Sequence, residues 1–422
     1  MKFLTELTDE INKIPVIDTH EHILPEGWTS EKGPDNSLII RRMKDNEEVN
    51  LSFMLNNSYC GWERKEVIEE RWDSLENFLK KVKGRAFYRS LFRALKELYN
   101  FKLPEISRDS WKELSKKIGE ASREENWQKM ILKDKANIDL IIWDQFWEMG
   151  NTQVDREIFN PVFRIDPFLI GYNREVKSHD GVSPYDYAEK LKFNIRTFDD
   201  YLDFIVFAIE KNKNEGAVAI KCATAYERSI DFQSVRKEEA RRVFGLSEEQ
   251  VPDRAKKLFG DYIMHFIVEK AIDHNLPIQI HTGLARLEGS NPMNLISLIS
   301  RYPEAKFVLF HGGYPWTSQI CAIAFTYHNV YLDLVWLPIL SPEVATRTLH
   351  EWIDMVDVDR ITWGGDCWTV EETYGALLTA REVVVRVLGE KIERKYLSQE
   401  SAIDIAWKIF RNNAVELYNL SL

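Results

Sequence analysis

Chemistry in this chain points first to five residues. His20 and His22 flank Glu21 near the N-terminus, and His281, His311 and Asp366 each close a short apolar run far along the chain. Residues i and i+2 of a strand share a face, so His20 and His22 can approach one ion together. Imidazole and carboxylate suit zinc, manganese or iron, and a catalytic zinc typically keeps three protein ligands and a water. A lone His-x-His pair says little. The chain has nine histidines, though, and four of them fall at expected strand ends. His179, His265, His274, His328 and His350 fall in helices or connections, and chance placement seldom sorts them so. One or two divalent ions, zinc foremost, are the cofactor this set implies.

Lys221, in AVAIKCATAYER, adds an amine at another expected strand end. An ammonium cannot ligate a cation, but burial lowers a lysine pKa, and the free amine could then capture carbon dioxide as a metal-bridging carbamate. The plainer alternative is an ammonium paired with a substrate carboxylate or with Asp366. Asp366 itself has two possible jobs, as ligand or as general base toward water whose pKa a metal lowers to about 7. The alternative is a buried Asp paired with a cation. His311 could also assist by donating to a developing oxyanion.

The elements that must carry these residues are legible in the hydropathy pattern. Runs at 15–23, 138–144, 161–169, 216–223, 276–283, 306–313, 330–336 and 360–366 are short and nearly continuously apolar, as parallel strands buried on both faces are. Amphipathic stretches such as Thr197–Lys211, Asp261–His274, Asn291–Arg301 and Glu343–Asp354 lie between them. The predicted class is α/β, a (β/α)₈ TIM barrel spanning 1–422, because no Gly-rich phosphate loop marks an open doubly wound sheet. About 115 residues separate the first two runs, far more than one crossover helix needs. Segments Ser74–Tyr99 and Ser110–Ala121 carry helical periodicity, which predicts a helical insertion or cap over 24–136. A peripheral or oligomer-forming subdomain is the other possibility.

Arg164 and Arg228 are candidate substrate-carboxylate clamps, with a salt bridge from Arg164 to Asp144 or Asp166, and a solvated loop for Arg228, as the alternatives. Tyr226 and Trp336 join them as candidate substrate contacts. Trp143, Trp316 and Trp368 more often pack a barrel mouth than touch a ligand, and His179 lies in a loop that could reach the pocket.

A net charge of −11 with no basic stripe argues against nucleic acid, and no apolar run reaches the roughly 20 residues of a membrane span. Four cysteines without CxxC spacing and an N-terminus lacking a signal-type apolar run fit the cytoplasm. A small-molecule substrate and a homo-oligomer are the partners expected.

DTHEH, the strand-ending Lys221, IHTG, LFHGGYPW and WGGD resemble, in strand order, the metal-dependent amidohydrolase superfamily. The resemblance runs over nearly the whole chain, through the closing KIFRNNAVELYNL. It is nearest the amidohydrolase-2 branch that includes the domain fused to glutamine-synthetase-like proteins. It implies hydrolysis of an amide or ester bond, lactones included, while some superfamily members decarboxylate or isomerise. The insertion, with FYRSLFRALKELYNF, resembles that of uronate isomerases and implies sugar-acid isomerisation as the alternative.

Overall fold

A computed structural model describes residues 2–32, 38–62 and 67–421. Eight strands form one sheet in the order β1 (Val16–Glu21), β4 (Ile138–Trp143), β5 (Phe159–Arg164), β6 (Ala219–Cys222), β7 (Ile278–Ile280), β8 (Phe307–Leu309), β9 (Val330–Asp333) and β10 (Ile361–Thr362). Each new strand is laid beside the last. The registers of β5 through β10 are parallel, for example Arg164 opposite Lys221 and Lys221 opposite Gln279. This is the strand order of a (β/α)₈ barrel. Every residue of β1, β6, β7, β8 and β10 is buried, which is why these strands read as apolar runs without alternation.

The eight expected strands are all present, but several are shorter than the runs that announced them. β8 ends at Leu309 and β10 at Thr362, so His311 and Asp366 sit on turns beyond the ladder rather than on strands. The chain turns left-handed at both places: His311 and Asp366 adopt φ of 64° and 61°, and Gly312 and Gly313 continue the first turn at 55° and 63°. Trp336, at φ 64°, leaves after β9 in the same way. The insertion needs a correction too. Besides helices it holds an antiparallel hairpin, β2 (Trp28–Lys32) with β3 (Leu38–Arg42), whose WTSEK and LIIRR stretches carry β-branched residues. Residues 33–37 and 63–66 of the insertion lie outside the described residues.

By packing, the chain divides into two compact units. The first comprises 1–141, 336–349 and 364–410. Its spine is the helix Val370–Glu393, opened by the Thr369 hydroxyl accepting from the Glu372 N–H, a cap worth about 1 kcal/mol. It packs on the insertion helix Ala86–Leu98, which buries Phe87, Tyr88, Leu91, Ala94 and Leu95. The approach is close: a Cβ on Gly375 would lie 2.5 Å from the Ser90 carbonyl oxygen.

The second unit comprises 142–335, 350–363 and 411–422. Its helix Phe198–Asn214 starts with a reciprocal cap, Thr197 with Asp200, and buries Phe198, Tyr201, Phe204, Ile205, Ala208 and Ile209. The helix Asp253–Asp273 packs beside it.

Candidate metal and catalytic residues

In the first unit, β1 and the turn after β10 bring three buried donors together. The His20 and His22 Nε2 atoms lie 3.7 and 3.2 Å from Asp366 Oδ1, and a nitrogen of each ring and a carboxylate oxygen all fall within 4.8 Å of one another. The two rings meet edge to face at 4.8 Å, as the period-2 argument requires, and the Trp368 indole stacks on His22 at 5.2 Å. Two imidazoles and a carboxylate at this spacing fit one divalent ion.

Tyr59, from the insertion, donates its phenolic proton to Asp366 Oδ2 at 3.1 Å. Its ring leans on Phe87 and on Trp336, with centroids 5.2 and 5.4 Å away. Its backbone N–H donates to Glu372 Oε1 at 2.8 Å, while the Trp368 N–H donates to Oε2. Burial pushes Glu372 up to about 8 against these two donors, with Asp366 adding to the rise. Glu21 is likewise well above the usual carboxylate range, because it is fully buried and faces Asp18.

In the second unit, His281 follows β7 and His311 follows β8. His281 Nε2 lies 3.0 Å from the Leu284 carbonyl, and its Nδ1 lies 2.8 Å from His311 Nε2. A carbonyl only accepts, so His281 carries its proton on Nε2 and accepts from His311 at Nδ1. Burial and the nearby Lys221 ammonium hold His281 well below its ordinary pKa, which keeps the ring neutral. Lys221 is buried in β6 with Nζ 3.6 Å from the Phe310 ring centroid.

Arg164, the last residue of β5, bonds Asp144 at 2.7 Å, Asp180 at 3.2 Å and Asp166. Of its two readings, the salt bridge is the one seen, and it takes three carboxylates rather than one. Arg228 lies on the wall of a cavity and is largely buried. It pairs with the fully buried Asp261 and donates to the Ser229 and Lys257 carbonyls. Carboxylates of the chain itself therefore answer the charge of both guanidinium groups.

Tyr226 is 46% exposed, and its ring lies 4.5 Å from His281 and 5.3 Å from His179. His179 bonds Glu227 Oε1 at 2.9 Å and approaches Asp180 at 3.2 Å. Burial alone would lower the His179 pKa, but Glu227 and Asp180 outweigh it and raise it. Tyr226, His179 and Glu227 line a cavity of about 770 Å³ with Arg286 and Lys256 on its wall.

Sequence reading missed Tyr59, Glu372, Asp18 and Glu21. Asp18 and Glu21 lay within the quoted DTHEH, and strand alternation puts Glu21 opposite the two histidines. What the pattern did not show is that this second face is buried too. Nothing local marks Tyr59, whose importance comes from where the insertion folds.

The sequence profile of the family described as Amidohydrolase matches residues 229–420. Protein fluG of Emericella nidulans is 28% identical over 261 residues, 58% of this chain and 30% of that protein, so the match spans under a third of the relative. Among solved structures, uronate isomerase from Thermotoga maritima overlaps with a TM-score of 0.76 at 16% identity, covering 99% of this chain and 97% of that one. A provisionally named metal-dependent hydrolase from Lactobacillus casei ATCC 334 overlaps at 0.67 and 16% identity, covering 98% and 97%. At such identities these overlaps speak for the fold. Among the described residues no helix is long and apolar enough to cross a membrane.

Proposed function

We propose, for a chain whose residues 229–420 match the amidohydrolase family profile, a metal-dependent hydrolase that opens an amide or ester bond, lactones included, in a small carboxylate-bearing substrate. The buried His20, His22 and Asp366 cluster carries this reading. These three residues would hold a divalent ion, with zinc the ion best matched to two imidazoles and a carboxylate. When bound, such an ion polarises a carbonyl and makes water acidic enough to attack at neutral pH.

Asp366 takes the proton from the attacking water and passes it to the leaving group. Tyr59 holds Oδ2 of that carboxylate, which leaves Oδ1 toward the two histidines. His281, His311 and, as a carbamate, Lys221 are proposed to complete the ligand set, for one ion or two, with His311 also donating to the developing oxyanion. The insertion acts as a cap, a role supported by Tyr59 reaching Asp366.

The test is metal analysis followed by assays of a carboxamide and lactone panel. Chelation should abolish turnover and Asp366→Asn should cut it by about 10²–10⁴-fold; turnover left at the wild-type level by both overturns the reading. A second reading, isomerisation of a uronic acid, draws on a fold overlap that covers 99% of the chain and so includes the insertion. Ketose formed from D-glucuronate, with the amide and lactone panel untouched, would establish it. Carbon dioxide release in the same panel would instead mark a decarboxylase.

A further inference from the structure

Three consecutive amides around Asp366 point at β1, and only the middle one meets backbone. Asp366 N–H donates to the His20 carbonyl at 2.8 Å. Gly365 N–H donates to Asp18 Oδ1 at 3.1 Å, and Cys367 N–H donates to Glu21 Oε2. In the other direction, His22 and Leu24 N–H donate to the Cys367 and Trp368 carbonyls at 3.0 and 2.9 Å. The turn is therefore laced to β1 like a strand, except that two carboxyl groups replace the backbone acceptors on either side of Asp366. Both carboxyl groups are fully buried, and neither belongs to the donor set.

That substitution has a reason. At φ 61° the Asp366 backbone is left-handed, a conformation that strains any residue with a Cβ, so ordinary ladder pairing cannot continue through it. Side-chain oxygens reach where main-chain carbonyls cannot. The space is also closed from the other side: a Cβ on Gly365 would sit 2.1 Å from Glu21 Oε1 and 3.3 Å from Asp18 Oδ2. Asp18 Oδ1 accepts from the His20 N–H as well, at 3.1 Å, so one carboxyl group ties both a histidine donor and the Asp366 turn.

We infer that Asp18 and Glu21 are positioning residues, which together hold Asp366 in the left-handed turn that carries its carboxylate to His20 and His22. This rests on the metal-holding reading of the same three donors. Partners of a ligand typically change metal affinity by about 10–100-fold when removed.

The test measures cobalt(II) affinity and visible absorption of the full chain, together with hydrogen exchange of the 365–367 amides, in the wild type, Glu21→Gln and Glu21→Ala. Glutamine keeps an oxygen for the Cys367 N–H and an N–H for Asp18; alanine keeps neither. Glu21→Ala should weaken cobalt binding by about 10–100-fold, shift the cobalt bands and speed exchange at 365–367, while Glu21→Gln stays close to the wild type. Unchanged affinity and exchange in Glu21→Ala overturn the inference, as does a Glu21→Gln variant damaged equally. If Glu21→Ala does not fold, Gly365→Ala displaces the same carboxyl group, and wild-type exchange there also overturns it. A wild type that takes up no cobalt defeats the metal reading instead; faster exchange confined to 365–367 would still support the clamp, and unchanged exchange would refute it.

Discussion

The β1–Asp366 region and the His281–Arg164 region both gather buried ionisable groups, yet they hold them by different means. Around Asp366 the turn is fixed through its main-chain groups, paired with the backbone of β1 and with the Asp18 and Glu21 carboxyl groups, and the side chains that would meet an ion are left facing one another. Around His281 the side chains hold each other, with His281 locked between Leu284 and His311 and Arg164 among three aspartates. A turn held in this way keeps its geometry when one of the three donor side chains is altered, because none of its lacing runs through them. A network of side chains shares its electrostatics and loses more than one contact when a member is removed.

Substitutions separate the two arrangements. Asp366→Asn keeps the lacing, so the fold should stand while turnover falls by about 10²–10⁴-fold, the range for a lost general base; steady-state kinetics beside a thermal melt would check both halves. Arg164→Met should do the reverse. It leaves Asp144, Asp166 and Asp180 facing one another without their cation, and breaking such a buried set costs about 3–5 kcal/mol, readable as a shift in urea unfolding. If Arg164→Met unfolds no more easily than the wild type, the contrast between the regions fails.

Sequence could announce the first region's histidines because a strand has a fixed period, so His20 and His22 had to share a face. It could announce the barrel for a related reason: strands buried on both faces leave unbroken apolar runs, and all eight were found. Asp366 and His311 were identified as residues but placed wrongly, since a left-handed turn just past an apolar run leaves no mark in a hydropathy pattern. Arg164 and Arg228 were ambiguous in principle, because a buried guanidinium needs an anion without saying which. Asp180 and Asp261, which answer the question, come from distant loops and helices. Tyr59 and Glu372 were invisible, as their roles exist only once the insertion has folded against the helix that follows Asp366.

Glu372 sharpens the comparison through pH. Its carboxyl group ordinarily titrates near 4.5 but is held up to about 8 in the folded chain. Between those values the unfolded chain has released this proton and the native chain still binds it. Stability from this group is therefore complete below 4.5 and is lost as pH rises through about 8, at up to about 1.4 kcal/mol per unit. Urea unfolding across that window should show the decline, and Glu372→Gln should flatten it. An unchanged slope in the variant would mean that Glu372 is not the group responsible.

The smallest expected effect asks whether the insertion acts on Asp366 or merely sits beside it. Tyr59→Phe keeps the ring that packs on Phe87 and Trp336 and leaves the backbone N–H on Glu372, so folding should be untouched. It removes only the phenolic donor to Asp366 Oδ2. A hydrogen bond to a charged group contributes about 1.5–3 kcal/mol, and at the low end of that range a loss of about tenfold is expected, which is about 1.4 kcal/mol. The split between constants is the discriminating measurement. If the phenol orients the carboxylate for proton transfer, kcat falls while KM holds, and the insertion belongs to the chemistry. If KM rises with kcat constant, Tyr59 binds substrate, and the tie to Asp366 is incidental.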